Sequence, residues 1–262
     1  MIFCKIPRAG LGNQLFVIAH AIIFAKNNSQ KITFLNFSQL KIGPYLRRER
    51  TKRQYNNFFV FQKGIIALFV DQIKFKLMGD SKFLIEPELE IKAVDMNALF
   101  SEIPHYSDYF IKLRPYREVV KAELFNFITK ENRDLINQLS TIDVAVHVRL
   151  GDCIGKNRVI SADYYVKAIE QTQFDKGYIS SDTPSHEIVT HLMSRFNLTL
   201  YENTPAETIN FAKDFGNLVL SKGTFSWWMG FLSKAGSIFY PKGGPRWHGD
   251  IFVFDEWTPI DF

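Results

Sequence analysis

The chain has 262 residues, 46% of them hydrophobic and 15% aromatic, with 25 phenylalanines and a formal net charge of +5. Length and apolar content place it among globular proteins that bury a real core, as one large domain or two small ones. A pI near 9.0 favours acidic partners such as nucleotides, anionic glycans or a membrane surface, while the longest apolar-rich stretch, Phe58 to Met78, holds Gln62, Lys63, Asp71, Gln72, Lys74 and Lys76 and so excludes a comfortable membrane span.

Met1 to Ile6 reads as a strand, Pro7 to Gly12 as a turn-rich loop, Asn13 to Lys26 as a helix and Lys31 to Asn36 as the next strand. This opening is typical of a parallel α/β unit. Gly10 and Gly12 allow a tight turn and close backbone approach, and the helix that follows offers its N-terminus to an anion. Leu15 occupies the third glycine position of a dinucleotide fingerprint, and the second strand ends without an acid for a ribose, so a nicotinamide enzyme is disfavoured. The pair Asn13-Gln14 supplies amide groups suited to sugar hydroxyls; a purely structural turn is the alternative. The start of the chain is short and runs into Pro7 and Arg8, so no signal peptide is expected. Cys4 and Cys153 show no metal-type spacing, and the default is two free thiols in a reducing compartment.

From about Ser38 to Arg117 the pattern is less regular. It holds the basic run Arg47, Arg48, Arg50, Lys52 and Arg53, which is either a solvated loop face or a contact with anionic lipid or an anionic acceptor. Phe58 to Met78 is expected to contain an amphipathic or buried helix. Helical spacing returns at Tyr116 to Ile128.

A regular series then begins with a strand at Ile142 to Arg149. Val144, Val146 and Val148 point to one face, and Ala145, His147 and Arg149 to the other. His147 and Arg149 therefore lie where the strand runs out, the edge at which open α/β sheets bind ligands. A guanidinium there suits a phosphate, which it grips with two parallel hydrogen bonds. A structural Arg149–Asp152 salt bridge and a satisfied buried His147 are the alternatives. Helices at Ala162 to Gln173, Pro184 to Phe196, Pro205 to Lys213 and Ser226 to Lys234 alternate with strands at Gly177 to Ser180, Leu198 to Tyr201, Leu218 to Ser221 and Ser237 to Tyr240. Such alternation predicts a parallel sheet with crossover helices. Thr224 and Ser226 are natural N-cap residues, with hydroxyls and nearby N–H groups fit for phosphate. No phosphate-binding loop of the G-x-x-x-x-G-K-[ST] type, no G-x-S-x-G elbow and no Asp-x-Asp pair occurs, which disfavours a divalent metal. Two α/β lobes are expected, 1–135 and 136–262, joined near 129–141.

Three motifs, GLGNQLF at Gly10 to Phe16, HVRLGD at His147 to Asp152 and TFSWW at Thr224 to Trp228, together resemble the bacterial α-1,2-fucosyltransferase family, a glycosyltransferase family 11-like group. Lesser matches are Asp163-Tyr-Tyr165 with Ala168-Ile169, and Ser180-Ser-Asp182. The resemblance runs from residue 10 to about 242 and leaves roughly 40–110 without a motif. It implies a GT-B-like fold of two Rossmann-like lobes with parallel sheets, the N-terminal one on the acceptor side and the C-terminal one holding the nucleotide sugar. It also implies inverting transfer of L-fucose from GDP-β-L-fucose to O2 of a galactoside in a surface or O-antigen glycan, with no metal and no cofactor.

On that resemblance Arg149 and Asn13 are the catalytic candidates. Gly10, Gly12, Gln14, His147, Asp152, Glu207, Thr224, Phe225 and Ser226 bind the donor. Arg149 would stabilise the leaving GDP, and the first motif would close over the sugar. The implied partners are a GDP-sugar and a glycan, without nucleic acid. The free thiols and the lack of a signal peptide make the expected location cytoplasmic, with the basic run, where it is not a solvated loop face, as the candidate for peripheral contact to the inner membrane face. This chain has Leu150 where many relatives carry a second arginine, Arg8-Ala9-Gly10 where they often have an extra glycine, and Thr208, beside Glu207, where they place an aspartate that reads guanine. The alternatives are another GDP-6-deoxyhexose donor, colitose for example, and a non-catalytic nucleotide- or glycan-binding relative. Asp152 and His20 are available by type as a general base; neither is assigned.

Overall fold

A computed structural model describes residues 2–5, 10–29, 31–35, 65–78, 85–86, 91–92, 111, 113–125, 142–243 and 251–261. The basic run from Arg47 to Arg53 lies outside the described residues. The chain divides into two compact units, Met1–Phe127 and Ile128–Phe262.

In the first unit, strands β1 (Ile2–Lys5) and β2 (Ile32–Leu35) pair in parallel, Ile2 opposite Ile32. A parallel pair needs a crossover, and helix α1 (Leu11–Asn27) supplies it. Leu15, Phe16, Ile18, Ala19 and Ala21 are fully buried, the pattern of a helix that is apolar on every side. The helix begins two residues earlier than the expected Asn13. Gly10 is its extended N-cap (φ −61°, ψ 159°), and the Gly10 carbonyl accepts from the Asn13 and Gln14 N–H groups at 3.1 Å each. Gly12 is therefore inside the first turn rather than in the loop. Helix α2 (Ile65–Met78) lies against β2. A two-stranded antiparallel ladder joins β3 (Ile85–Glu86) to β4 (Ile91–Lys92). Helix α3 (Arg117–Leu124) buries Val120 and Leu124 and packs on α1.

The second unit is built on a six-stranded, all-parallel sheet in the order β10-β9-β8-β5-β6-β7. In chain order it runs β5 (Val144–Val148), α4 (Gly151–Ile154), α5 (Ala162–Ile169), β6 (Gly177–Ser181), α6 (Glu187–Phe196), β7 (Thr199–Leu200), α7 (Pro205–Ala212), β8 (Asn217–Val219), α8 (Thr224–Leu232), β9 (Ser237–Lys242) and β10 (Thr258–Asp261). Every residue of β5 is buried, as befits a central strand with helices on both faces. Val144, Val146 and Val148 join Tyr164, Ile179 and Val189 in the core. Burial of α8 extends to Trp227 and Trp228, both without exposure, which meet edge to face at 5.0 Å.

Among the described residues of the second unit, two elements are absent from the sequence expectations. The single turn α4 is too short to show a period. Strand β10 contains Pro259, which argues against a strand except at a sheet edge, and β10 is the edge. Cys4 and Cys153 are free and buried. Among the described residues no helix is long and apolar enough to cross a membrane.

Candidate functional site

The strand order reverses at β5. From it the chain runs to β6 and β7 on one side, then returns to place β8, β9 and β10 on the other. Such a switch point opens a crevice outside the carboxyl ends of the two central strands, where α/β sheets bind ligands. The segments leaving those ends carry Arg149 to Asp152 and Leu220 to Ser226.

Arg149 lies one residue past β5. Its Nε and Nη2 both donate to Asp152 Oδ1, at 3.1 and 2.8 Å. This is the pairing that the sequence offered as a structural alternative, and it orients the guanidinium without burying it: the Arg149 side chain remains 32% exposed. The Arg149 backbone N–H donates to Ser221 Oγ at 3.2 Å, which lies 2.9 Å from the Tyr165 hydroxyl. Tyr164 donates to the Leu220 carbonyl at 2.5 Å and the Phe239 carbonyl at 3.3 Å. Two adjacent tyrosines of α5 thus brace the end of β8 and, through Ser221, the backbone of Arg149. Partial burial pushes the Asp152 carboxyl up, but hydrogen bonds and charge from Arg149 and Lys156 outweigh it and hold it below its ordinary value. So held, Asp152 is a weak base and a good anchor.

The guanidinium lies over Gly223, where an added Cβ would overlap Arg149 Nη1. Gly223 has φ 101° and ψ 168° and is the N-cap of α8, with no side-chain hydrogen bond to the first turn. The helix therefore starts at Thr224, ahead of the expected Ser226, because glycine alone reaches that backbone conformation easily. Thr224 is the first helical residue and Ser226 the third, so neither is the N-cap. The N–H groups of this turn and the positive end of the helix dipole form an anion-binding end, with the Arg149 charge beside it.

His147 is 7% exposed. Its Nδ1 lies 2.6 Å from Ser226 Oγ, and its ring packs on Phe225 at 5.0 Å between centroids. Burial pushes its pKa down to about 4, with Asp182 pulling it up and Arg149 pushing it down. A neutral His147 thus ties β5 to the first turn of α8, acting on the crevice through that helix.

Asp182 follows β6, and its Oδ1 accepts from the N–H groups of Leu150 and Gly151 at 2.8 and 3.0 Å. The start of the single turn α4 is therefore filled by the chain's own carboxylate. Helix α6 is likewise capped, by His186, and α7 by a capping box. Lys222 brings a further cation: burial pushes the Cys153 thiol up, and the charges of both Arg149 and Lys222 pull against it.

Glu207 is in that capping box. Its Oε2 accepts from the Thr204 N–H at 2.9 Å, while its own N–H donates to Thr204 Oγ1 at 3.3 Å. Thr208 is buried and donates to the Thr204 carbonyl. Glu207 therefore has a local structural task at the start of α7. Gly10, Gly12, Asn13 and Gln14 form the start of α1 in the first unit. His20 is buried in the same helix, and burial lowers its pKa to about 3. Tyr165, Asp182 and Ser221 stand in the sequence motifs and strand ends, but the tasks they have here are not readable from the sequence. A polar residue at the end of a neighbouring strand was the available signal for the last two. Among the described residues no three His, Cys, Asp or Glu side chains gather as metal ligands.

No family model and no curated protein matches the chain. Among solved structures, the fucosyltransferase NodZ from Bradyrhizobium is similar with a TM-score of 0.50 at 12% identity, over 88% of this chain and 93% of NodZ. POFUT1 in complex with GDP-fucose aligns with a TM-score of 0.47 at 12% identity, over 89% of this chain and 95% of POFUT1. The first likeness shows a shared fold, the GT-B-like α/β class expected from the motifs.

Proposed function

We propose that the chain is a glycosyltransferase that moves L-fucose from GDP-β-L-fucose to a hydroxyl of a surface glycan, inverting the anomeric carbon and using no metal ion. The observation that carries this reading is the Arg149 guanidinium over Gly223, at the start of a helix without a side-chain cap, on the switch point of a parallel sheet. The fucosyltransferase fold of NodZ and the three sequence motifs supply the donor class. NodZ is an α-1,6-fucosyltransferase, so the choice of O2 of a galactoside rests on the motifs.

In this reading the β-phosphate lies between Arg149 and the N–H groups opening α8. The bond between the anomeric carbon and the β-phosphate oxygen breaks as the acceptor oxygen bonds from the opposite face. The acceptor proton passes to a base or to solvent, and GDP leaves with the bonding electrons. Charge on the phosphate grows along this path, so a guanidinium and a helix dipole stabilise the transition state more than the ground state. They supply what a metal ion supplies elsewhere. Asp152 orients Arg149, His147 fixes the turn of α8 through Ser226, and Glu207 accepts from the guanine edge while capping α7.

The test offers purified protein GDP-fucose and a panel of galactosides in EDTA, and follows GDP release and product mass. Transfer is expected, with Arg149→Ala at least ~100-fold slower, the loss typical of removing such a donor. The absence of transfer with every acceptor, together with the absence of GDP binding, would sink the reading. Loss of activity in EDTA would remove its metal-free part, and equal GDP binding by Glu207→Ala would remove Glu207 from base recognition.

A further inference from the structure

Helix α2 turns its apolar side outward. Ile66 and Leu77 are each 81% exposed, Ile73 58%, Phe69 52% and Val70 44%, whereas Leu68 and Asp71 are buried. At about 100° per residue these five exposed positions fall within an arc of about 100°, one continuous stripe along the helix. Isolated exposed apolar residues are ordinary, but a contiguous stripe marks a contact surface.

The charges beside the stripe indicate what it contacts. Lys74 is exposed and borders the arc by helical spacing. The only acid of the helix, Asp71, is on the buried side. Two copies meeting along this face would set lysine against lysine with no acid between them. An anionic lipid surface suits both features, because it takes the apolar stripe into the boundary between headgroups and acyl chains and offers phosphates to Lys74. With 14 residues, the helix is about 21 Å long, which fits an element lying in the plane of the interface.

We propose that α2 docks the protein on anionic membranes through Ile66, Phe69, Val70, Ile73 and Leu77, with Lys74 at the lipid headgroups. This proposal is independent of the donor and of the reaction. The experiment is cosedimentation of the full chain with vesicles of phosphatidylglycerol and phosphatidylcholine, against phosphatidylcholine alone. The variants are Lys74→Glu and the double variant Ile66→Glu/Leu77→Glu, with circular dichroism and thermal midpoint checking that each is folded. Binding to the anionic vesicles is expected, weakened by salt. It should fall at least ~10-fold in the double variant, which puts carboxylates in the stripe, and at least ~5-fold in Lys74→Glu. Folded variants that bind like wild type would overturn the proposal. So would absence of binding to either vesicle, or a concentration-dependent dimer that the double variant abolishes without any vesicle binding.

Discussion

Arg149 and Gly223 define each other. The glycine leaves room for the guanidinium, and its backbone, at φ 101° and ψ 168°, belongs to a region that side-chain-bearing residues enter at a cost of about 1–3 kcal/mol. Gly223→Ala is therefore expected to lower the urea midpoint by that order. It should also displace the guanidinium and slow fucose transfer at least ~10-fold; unchanged transfer would show that the guanidinium position is not critical. At this scale the sequence told half the story. Strand alternation put His147 and Arg149 on one face, which is correct, but alternation carries no information about depth. His147 is still within β5 and is covered by Phe225 and Ser226 of α8, whereas Arg149 has passed the last strand residue and reaches the crevice.

Among elements, α5 does the bracing. Its two tyrosines reach the Leu220 carbonyl just past β8 and the Phe239 carbonyl within β9, and hold Ser221, which accepts the Arg149 N–H. Tyr165→Phe keeps the ring and removes the hydroxyl bond to Ser221. Stability should fall by about 1 kcal/mol, the net worth of one such bond, measured by urea denaturation; an unchanged midpoint would mean that Ser221 finds another partner. Tyr164 and Tyr165 are visible in the sequence, but their task is not, because the bonds they make join residues at least 56 positions apart. Strand β10 stayed hidden for a different reason: Pro259 weakens the strand signal in a four-residue segment, and only its place at the sheet edge makes the proline harmless. Helix α8 also shows why caps are hard to read. Two good N-cap residues follow a glycine that takes the position first.

Across the whole molecule, each unit buries a histidine. Burial lowers the pKa of His20 to about 3 and that of His147 to about 4, from ordinary values near 6.5. The unfolded chain then binds more protons than the folded one between those values, so stability is greatest above pH 6.5 and is lost as pH falls toward 4. For His147 alone the loss is about 3 kcal/mol. Urea midpoints at pH 7.5, 5.5 and 4.5 should fall in that order; a flat profile would mean that both rings are hydrated. The alternation of strands and helices made the parallel sheet legible, but not its strand order, since alternation does not say on which side each new strand is added. That order has a consequence for how the protein is made. His147 and Ser226, whose bond ties β5 to the first turn of α8, stand 79 positions apart. A ribosome that has released the chain only as far as β7 has delivered the guanidinium but not the helix end it faces, so the pocket is absent from the nascent chain until nearly the last strands emerge.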